Sequence, residues 1–204
     1  EEEEGDECPI CLEILPKDVS QFNRMACCGN GMHKHCSEDL DSMKMGGNCP
    51  LCRAKRPTSE EDYVKQLRPW VKKKKTWALA MMGDKYYQGK GVKQSYEMAR
   101  RLFEQAAQQG YGNAMYNLGV MYRKGVGVEQ SYERAKEYYK QAAHLGDVDA
   151  MSNLGHMYNY GQGVEQSYKR AKELYELAAD QSYPQAFCNL GSLYANGFGV
   201  QQDL

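Results

Sequence analysis

Residues 114–149 read AMYNLGVMYRKGVGVEQSYERAKEYYKQAAHLGDVD, and this stretch decides the fold because it recurs along the chain. The period is 36 residues, and equivalent units start at Ala78, Ala114, Ala150 and Ala186. Across the three complete units, the same residue occupies 12 of the 36 positions. Such self-similarity at a fixed period indicates a repeat architecture rather than an ordinary globular domain.

Each unit is predicted to form a pair of helices. Leu118 and Met121 follow helical spacing, and the glycines of residues 125–127 then interrupt the pattern. Ser131 is a suitable N-cap for a second helix, because its side chain can accept a hydrogen bond from the first turn. Residues 145–147, Leu-Gly-Asp, supply the turn into the next unit. The sequence therefore predicts a mainly α fold built of helical hairpins.

Small residues such as Gly119 and Ala142 allow the two helices of a hairpin to approach closely. With this spacing, the pattern resembles the Sel-one-like repeat family, which is related to the tetratricopeptide repeats, over about residues 76–204. The resemblance implies an α-solenoid whose first helices line a concave surface used for protein binding. The repeats are assigned to residues 78–204, as units 78–113, 114–149 and 150–185 and the partial unit 186–204.

The concave surface is where a protein substrate is expected to bind. Positions that are identical between units are those that packing requires, whereas positions that vary are free to face a partner. By analogy with related hairpins, the groove would include Tyr87, Tyr116, Arg123, Lys124, His156, Asn159 and Tyr160. Plain solvent exposure explains the variation at any one of these positions equally well.

Seven of the eight cysteines lie within the first 52 residues. Together with one histidine they give eight ligands, the number that two tetrahedral structural zinc sites require. A disulfide framework is disfavoured, because a histidine at ligand spacing has no role in it and no export signal is present. The proposed zinc ligands are Cys8, Cys11, Cys27, Cys28, His33, Cys36, Cys49 and Cys52.

The motifs Cys-Pro-Ile-Cys at residues 8–11 and Cys-Pro-Leu-Cys at residues 49–52 resemble the two ends of a RING finger, which would cover residues 6–56. The acidic residues 1–5 are predicted to form a disordered tail. In the RING family the ligand pairs interleave as a cross-brace. The resemblance therefore implies one zinc ion held by Cys8, Cys11, His33 and Cys36, and a second held by Cys27, Cys28, Cys49 and Cys52.

The resemblance implies the activity of a ubiquitin ligase, which docks a ubiquitin-conjugating enzyme and holds its ubiquitin thioester ready for attack by a substrate lysine. Ile10, Pro50 and Leu51 would form the apolar docking patch for that enzyme. Arg53 would be the linchpin, because a guanidinium can hydrogen-bond to both the enzyme and ubiquitin. Both zinc sites would be filled by protein ligands, so the metal would be structural and this chain would carry no covalent intermediate. The alternative is a non-catalytic zinc-binding scaffold.

The adjacent cysteines Cys27 and Cys28 depart from the RING pattern, in which at least one residue separates the third and fourth ligands. We favour both as ligands. A register that used Cys28 alone would need a replacement from Asn30, which is a poor zinc ligand, or from His35, which is crowded against Cys36.

Residues 57–77 are predicted to be a helical linker between the zinc finger and the repeats. Ser59 is a plausible N-cap followed by acidic residues, and Pro69 is expected to break or restart the helix. The four lysines at residues 72–75 fit a nuclear address or a phosphate-binding patch, but a solvated helix surface is favoured.

Global composition limits the location and partners of the chain. A hydrophobic content of 42% is too high for a disordered chain, and no apolar run is long enough to cross a membrane. The net charge of −1 argues against a nucleic-acid partner. The absence of a secretory signal predicts a cytoplasmic or nuclear protein. The start at Glu1 without methionine, and the end before a second helix in the fourth unit, are consistent with a segment of a longer protein.

The ligand count predicts the metal content. Two tetrahedral sites require two zinc ions per chain, which can be measured by elemental analysis of the purified protein. A content of one zinc ion per chain would contradict the assignment of both Cys27 and Cys28.

Overall fold

The structure is a computed structural model, which describes residues 57–198 and the backbone of two short strands, residues 22–24 and 31–33. The chain divides into two compact units between Leu102 and Phe103, and each unit is described by itself.

The two strands form an antiparallel pair. Strand β1 (Phe22–Arg24) lies beside β2 (Gly31–His33), with Phe22 opposite His33 and Arg24 opposite Gly31.

The described part of the chain is otherwise mainly α, as predicted. Eight helices of 12 or 13 residues follow one another: α1 (Glu60–Lys72), α2 (Thr76–Gln88), α3 (Tyr96–Ala107), α4 (Gly112–Lys124), α5 (Tyr132–His144), α6 (Val148–Tyr160), α7 (Tyr168–Asp180) and α8 (Pro184–Ala195).

Helix α1 begins where the sequence predicts, because the Ser59 hydroxyl accepts a hydrogen bond from the Asp62 amide at 3.1 Å. The prediction that Pro69 breaks this helix is wrong, since α1 continues to Lys72. Proline removes one helical hydrogen bond. The preceding turns bury Val64 and Leu67, which are 2% and 0% exposed. We infer that this packing outweighs the local preference of proline.

Polar contacts join α1 to α2 in the first unit. The Lys85 ammonium lies 2.5 Å from the Glu60 carboxylate and 4.6 Å from the centre of the Tyr63 ring. A Cβ atom added at Gly91 would lie 2.3 Å from the Glu60 carbonyl oxygen, and Gly91 has a φ of +70°. This loop position therefore requires glycine, both for its conformation and for its close approach to α1.

In the second unit, the predicted stop and start signals form the hairpin connections. Gly125 ends α4 in the left-handed conformation with a φ of +67°. Ser131 then caps α5, accepting a hydrogen bond from the Arg134 amide at 3.2 Å. Ser167 caps α7 in the same way, with the Arg170 amide as donor at 3.3 Å. The sequence prediction of helical hairpins is confirmed at these positions.

A glutamine braces each connecting loop. The side-chain amide of Gln130 donates to the backbone carbonyl of Arg123 at 2.8 Å and also bonds the Tyr132 hydroxyl at 3.3 Å. In the next 36-residue repeat, the Gln166 side chain donates to the carbonyl of Asn159 at 2.7 Å. In both repeats, a hydrogen bond therefore holds the loop against the end of the first helix.

In the hairpins α4–α5 and α6–α7, a glycine of the first helix contacts a tyrosine ring of the second helix. A Cβ atom added at Gly119 would lie 2.6 Å from Cε1 of Tyr139, and one added at Gly155 would lie 2.7 Å from Cε1 of Tyr175. Both rings are buried, with exposures of 0% and 1%. By contrast, a Cβ atom added at Gly191 would meet nothing within 4 Å. The hairpins are closely packed because these two glycines have no side chain.

This packing predicts opposite effects for one substitution at equivalent positions. Gly119→Ala or Gly155→Ala forces a methyl group against a buried ring and is expected to lower the free energy of unfolding by about 1–3 kcal/mol. Gly191→Ala is the matched control, expected to be neutral or to stabilise by up to about 1 kcal/mol, because alanine favours the helix. Urea denaturation followed by circular dichroism measures all three. An equal loss in the Gly191 variant would contradict the packing argument.

Candidate functional site

An asparagine recurs on the first helices of the second unit, at intervals of 36 residues. We call Asn117, Asn153 and Asn189 the asparagine ladder. Within α4, the amide of Asn117 donates to the Asn113 carbonyl at 3.0 Å, and within α6 the amide of Asn153 donates to the Asp149 carbonyl at 2.8 Å. Each bond spans one helical turn and orients the amide on the helix surface.

Side-chain hydrogen bonds link the first helices to one another. The Asn189 amide donates to the Ser152 hydroxyl at 3.3 Å, which joins α8 to α6. The Tyr183 hydroxyl, just before α8, donates to a carboxylate oxygen of Asp149 on α6 at 2.5 Å. Burial and this hydrogen bond to Asp149 raise the pKa of Tyr183, so the phenol remains a donor. The surface formed by α6 and α8 is therefore held in place before any partner binds.

A cluster of aromatic and basic side chains lies beside the ladder. Burial, followed by the charge of Asp149, raises the pKa of Tyr116 to about 12, while Arg123 opposes that shift. Burial and the charge of Arg123 lower the pKa of His156. The rings of His156 and Tyr160 are 4.4 Å apart. At neutral pH this cluster thus offers a protonated phenol, a neutral imidazole and one guanidinium, which suit hydrogen bonding and stacking rather than nucleophilic chemistry.

Two atoms of this cluster are buried without a hydrogen-bond partner in the part of the chain that the structure describes. They are Nε of Arg123 and Nδ1 of His156. An unsatisfied buried polar atom costs about 1–3 kcal/mol.

Of the seven residues predicted to line the groove, the structure brings four into this region: Tyr116, Arg123, His156 and Tyr160. Lys124 is exposed at the end of α4. Asn159 contributes its backbone carbonyl to the glutamine brace. Tyr87 belongs to the other unit, where its ring lies 5.4 Å from that of Tyr96.

Sequence reasoning missed the asparagine ladder and its partner Asp149. Sequence reasoning did not single out Asn153, because the first repeat carries Met81 at the equivalent position and the asparagine is therefore not among the 12 identical positions. The Asn153 side chain donates to the Asp149 carbonyl at 2.8 Å and also hydrogen-bonds the Tyr116 side chain. The sequence does contain a signal for the ladder, because a polar residue precedes each asparagine by four positions and residues four apart share a helix face. These residues are Asn113, Asp149 and Gln185.

The side chains of the proposed zinc finger lie outside the described residues, and of this set only the backbone of His33 is described, in β2. The predictions that concern Ile10, Pro50, Leu51, Arg53 and the cysteine ligands therefore stay predictions. Among the described residues, no group of His, Cys, Asp and Glu side chains is arranged to hold a metal ion. Within residues 57–198, no helix is long and apolar enough to cross a membrane.

The comparisons with known proteins concern the helical part of the chain. The model of the Sel1 repeat family matches residues 78–111, 112–147, 148–183 and 184–204. A search of curated proteins finds no significant match.

Three solved structures with similar folds show the extent of the likeness. A Sel1 repeat protein from Oxalobacter formigenes is 31% identical, with a TM-score of 0.63, over 70% of this chain and 59% of its own. The protective antigen c5321 of uropathogenic Escherichia coli, described as having an SLR fold, is 30% identical, with a TM-score of 0.65, over 83% of this chain and 35% of its own. The immunity protein Pa5087 of Pseudomonas aeruginosa, 23% identical with a TM-score of 0.50 over 76% of this chain and 56% of its own, is similar in fold alone. The chain thus spans 59% and 35% of the first two relatives.

A largely buried carboxylate lies on α2 of the first unit. Burial raises the pKa of Asp84 to about 6, and the neighbouring Lys85 only partly opposes this shift. Because the folded-state pKa lies above the ordinary value of 3.8, the unfolded chain ionises first as the pH rises. The folded state therefore loses stability between about pH 4 and pH 6, and the loss persists at neutral pH.

Asp84→Asn is expected to remove this loss. At pH 7 the variant should be more stable than the wild type, by up to about 3 kcal/mol, and the gain should vanish below about pH 4. Thermal or urea unfolding at several pH values measures the difference. Glu165→Gln, which removes a charge from an exposed loop residue, is the control and should change stability little. A gain for Asp84→Asn that did not depend on pH would contradict the assignment.

Proposed function

Because the chain belongs to the Sel1 repeat family, we propose that its helical repeats hold a protein substrate for a RING-type ubiquitin ligase formed by residues 6–56. In this proposal, the zinc finger binds a ubiquitin-conjugating enzyme charged with ubiquitin. The repeats bring the protein that is to be modified. The observation that carries the proposal is that one chain holds both a set of eight Cys and His residues that resembles a RING finger, followed by Arg53, and four matched repeats.

The face of helices α4, α6 and α8 that carries the asparagine ladder and the neighbouring aromatic cluster, called here the first-helix face, supports the substrate-binding half of the proposal. Sel1 repeats form a protein-interaction fold, and the asparagine ladder offers amide groups that can both donate and accept hydrogen bonds. Such groups match the peptide groups of a bound segment. Tyr160, 62% exposed beside His156, supplies an aromatic anchor of the kind enriched in protein interfaces.

The donor set supports the zinc finger. Seven thiols and one imidazole satisfy two tetrahedral zinc ions with no ligand left over. When bound, the ions would stabilise a segment too short to bury a large core of its own.

The catalytic contribution of this chain would be orientation. Ile10, Pro50 and Leu51 would contact the conjugating enzyme, and the Arg53 guanidinium would hydrogen-bond to both the enzyme and ubiquitin. Restricting the freedom of the thioester in this way favours attack by a substrate lysine without any nucleophile on this chain. Arginine suits this role better than lysine because its planar fork can bond two partners at once.

The second candidate function is a scaffold in which both modules only bind partners. It is favoured by the chemistry of the first-helix face in residues 103–198, where the described cluster suits hydrogen bonding and stacking. The two candidates differ in whether ubiquitin chains form.

Reconstituted ubiquitination with a panel of conjugating enzymes separates the candidates. We expect chain formation by the wild type and a loss of about tenfold or more in Arg53→Ala, because hydrogen bonds to a charged group are lost. Arg53→Lys keeps the charge but not the fork and should also be impaired. The zinc content of both variants should equal that of the wild type. If no conjugating enzyme in the panel supports chain formation, the scaffold is the correct function.

Tyr160→Ala separates substrate capture from ligase chemistry. Free chain formation should be unchanged, while modification of a bound substrate should fall, because only the first-helix face is altered. Leu177→Ala, which shortens a side chain that is 54% exposed on the second helix α7, is the matched control and should affect neither reaction. Loss of free chain formation in Tyr160→Ala would contradict the proposed division of roles.

A further inference from the structure

A cleft of about 560 Å³ opens in the second unit between the end of α3, helix α4 and helix α5. Its lining includes Leu118 and Tyr122 from α4 and Tyr138 from α5. None of the residues predicted to form the groove lines it, and neither does the asparagine ladder. The cleft is therefore a second surface, distinct from the first-helix face.

The floor of the cleft is aromatic. The rings of Tyr122 and Tyr138 stack with their centres 5.6 Å apart and their planes 11° apart. The guanidinium of Arg134 lies 5.3 Å from the Tyr122 ring centre, and it donates to the Tyr122 hydroxyl at 3.4 Å. The chain thus already packs a basic side chain against a tyrosine here, which is a favourable cation–π arrangement.

The rim of the cleft is acidic. Glu104, Glu133 and Glu137 line it, against the single positive charge of Arg134. The ion pairs of Glu137 with Lys136 and Lys140 on the same helix are both 3.8 Å long, and the Glu137 side chain is 59% exposed, so they neutralise it only weakly. The cleft consequently favours a positively charged occupant with an apolar stem.

Comparison with the next 36-residue repeat shows which of these residues packing requires. Leu118, Tyr122 and Arg134 correspond to Leu154, Tyr158 and Arg170, and Arg170 again lies over its tyrosine, at 5.4 Å. Two of the three rim carboxylates and the second tyrosine change instead, since Glu104, Glu133 and Tyr138 correspond to Lys140, Lys169 and Leu174, whereas Glu137 corresponds to Glu173. Because the hairpin forms with either set, the two exchanged carboxylates and the second tyrosine are not needed for the fold.

We propose that this cleft binds an arginine or lysine side chain from a segment of a protein partner. The stem of that side chain packs on Tyr138, and its cation lies among the carboxylates of Glu104, Glu133 and Glu137. The inference does not depend on ligase activity, because it concerns a surface separate from the zinc finger and the first-helix face. It gives the repeats a second contact point that selects for positive charge.

The test uses the full chain with zinc and a short peptide, acetyl-Gly-Ser-Arg-Ser-Gly-amide, titrated into isotope-labelled protein and followed by NMR. Two matched peptides carry norleucine or glutamate in place of arginine. A triple variant, Glu104→Lys, Glu133→Lys and Tyr138→Leu, installs the residues of the next unit and is expected to fold. Its melting temperature and circular dichroism spectrum check this.

We expect the arginine peptide to shift the amide signals of α5 around Tyr138 and not the equivalent signals of α7. The affinity should fall about tenfold or more for the norleucine and glutamate peptides and for the triple variant, since a cation and its carboxylates are removed. Raising the salt concentration should weaken binding. Equal binding of the norleucine peptide, shifts confined to the first-helix face, or no shift at all would each overturn the proposal.

Discussion

The contact of a tyrosine ring with a glycine in each hairpin is the constraint on which the rest of the second unit depends. Tyr139 on Gly119, and Tyr175 on Gly155, set the distance between the two helices of a unit. With that distance fixed, the serine caps and the glutamine braces form with the same geometry in both hairpins. The ladder on the first helices is regular because the hairpins beneath it are nearly identical.

The first unit reaches a similar result with different chemistry. Lys85 occupies the position of Met121 and Met157, which are fully buried in the core of the second unit. A lysine at this position needs a partner, and α1 provides one in Glu60 together with the face of the Tyr63 ring. Helix α1 therefore covers part of α2 through the ion pair of Lys85, whereas the later repeats bury a methionine at the same position. The linker helix is part of the packing of the first hairpin and more than a spacer.

Local and periodic signals account for what the sequence predicted correctly. Ser131 and Gly125 act within one helical turn of themselves, so their roles follow from residue type and position alone. Pro69 was misjudged because its local effect competes with burial of Val64 and Leu67, which depends on a partner helix. The asparagine ladder was missed because the first repeat carries Met81 at this position, so identity across the three complete repeats did not mark it. The zinc ligands and Arg53 stay predictions, since they lie outside the described residues.

Separation of packing from recognition is what allows a repeat chain to bind more than one kind of surface. Each unit depends mainly on its own hairpin and its nearest neighbours, so a substitution on an outer position has few consequences elsewhere. Two neighbouring repeats can keep the same Leu, Tyr and Arg framework while two of the three rim positions carry glutamate in one repeat and lysine in the other. The first-helix face, in contrast, keeps a neutral amide in three successive units. Uniform amides suit a partner's backbone, which is the same in every protein, whereas rim charges that differ from unit to unit can distinguish one side chain from another.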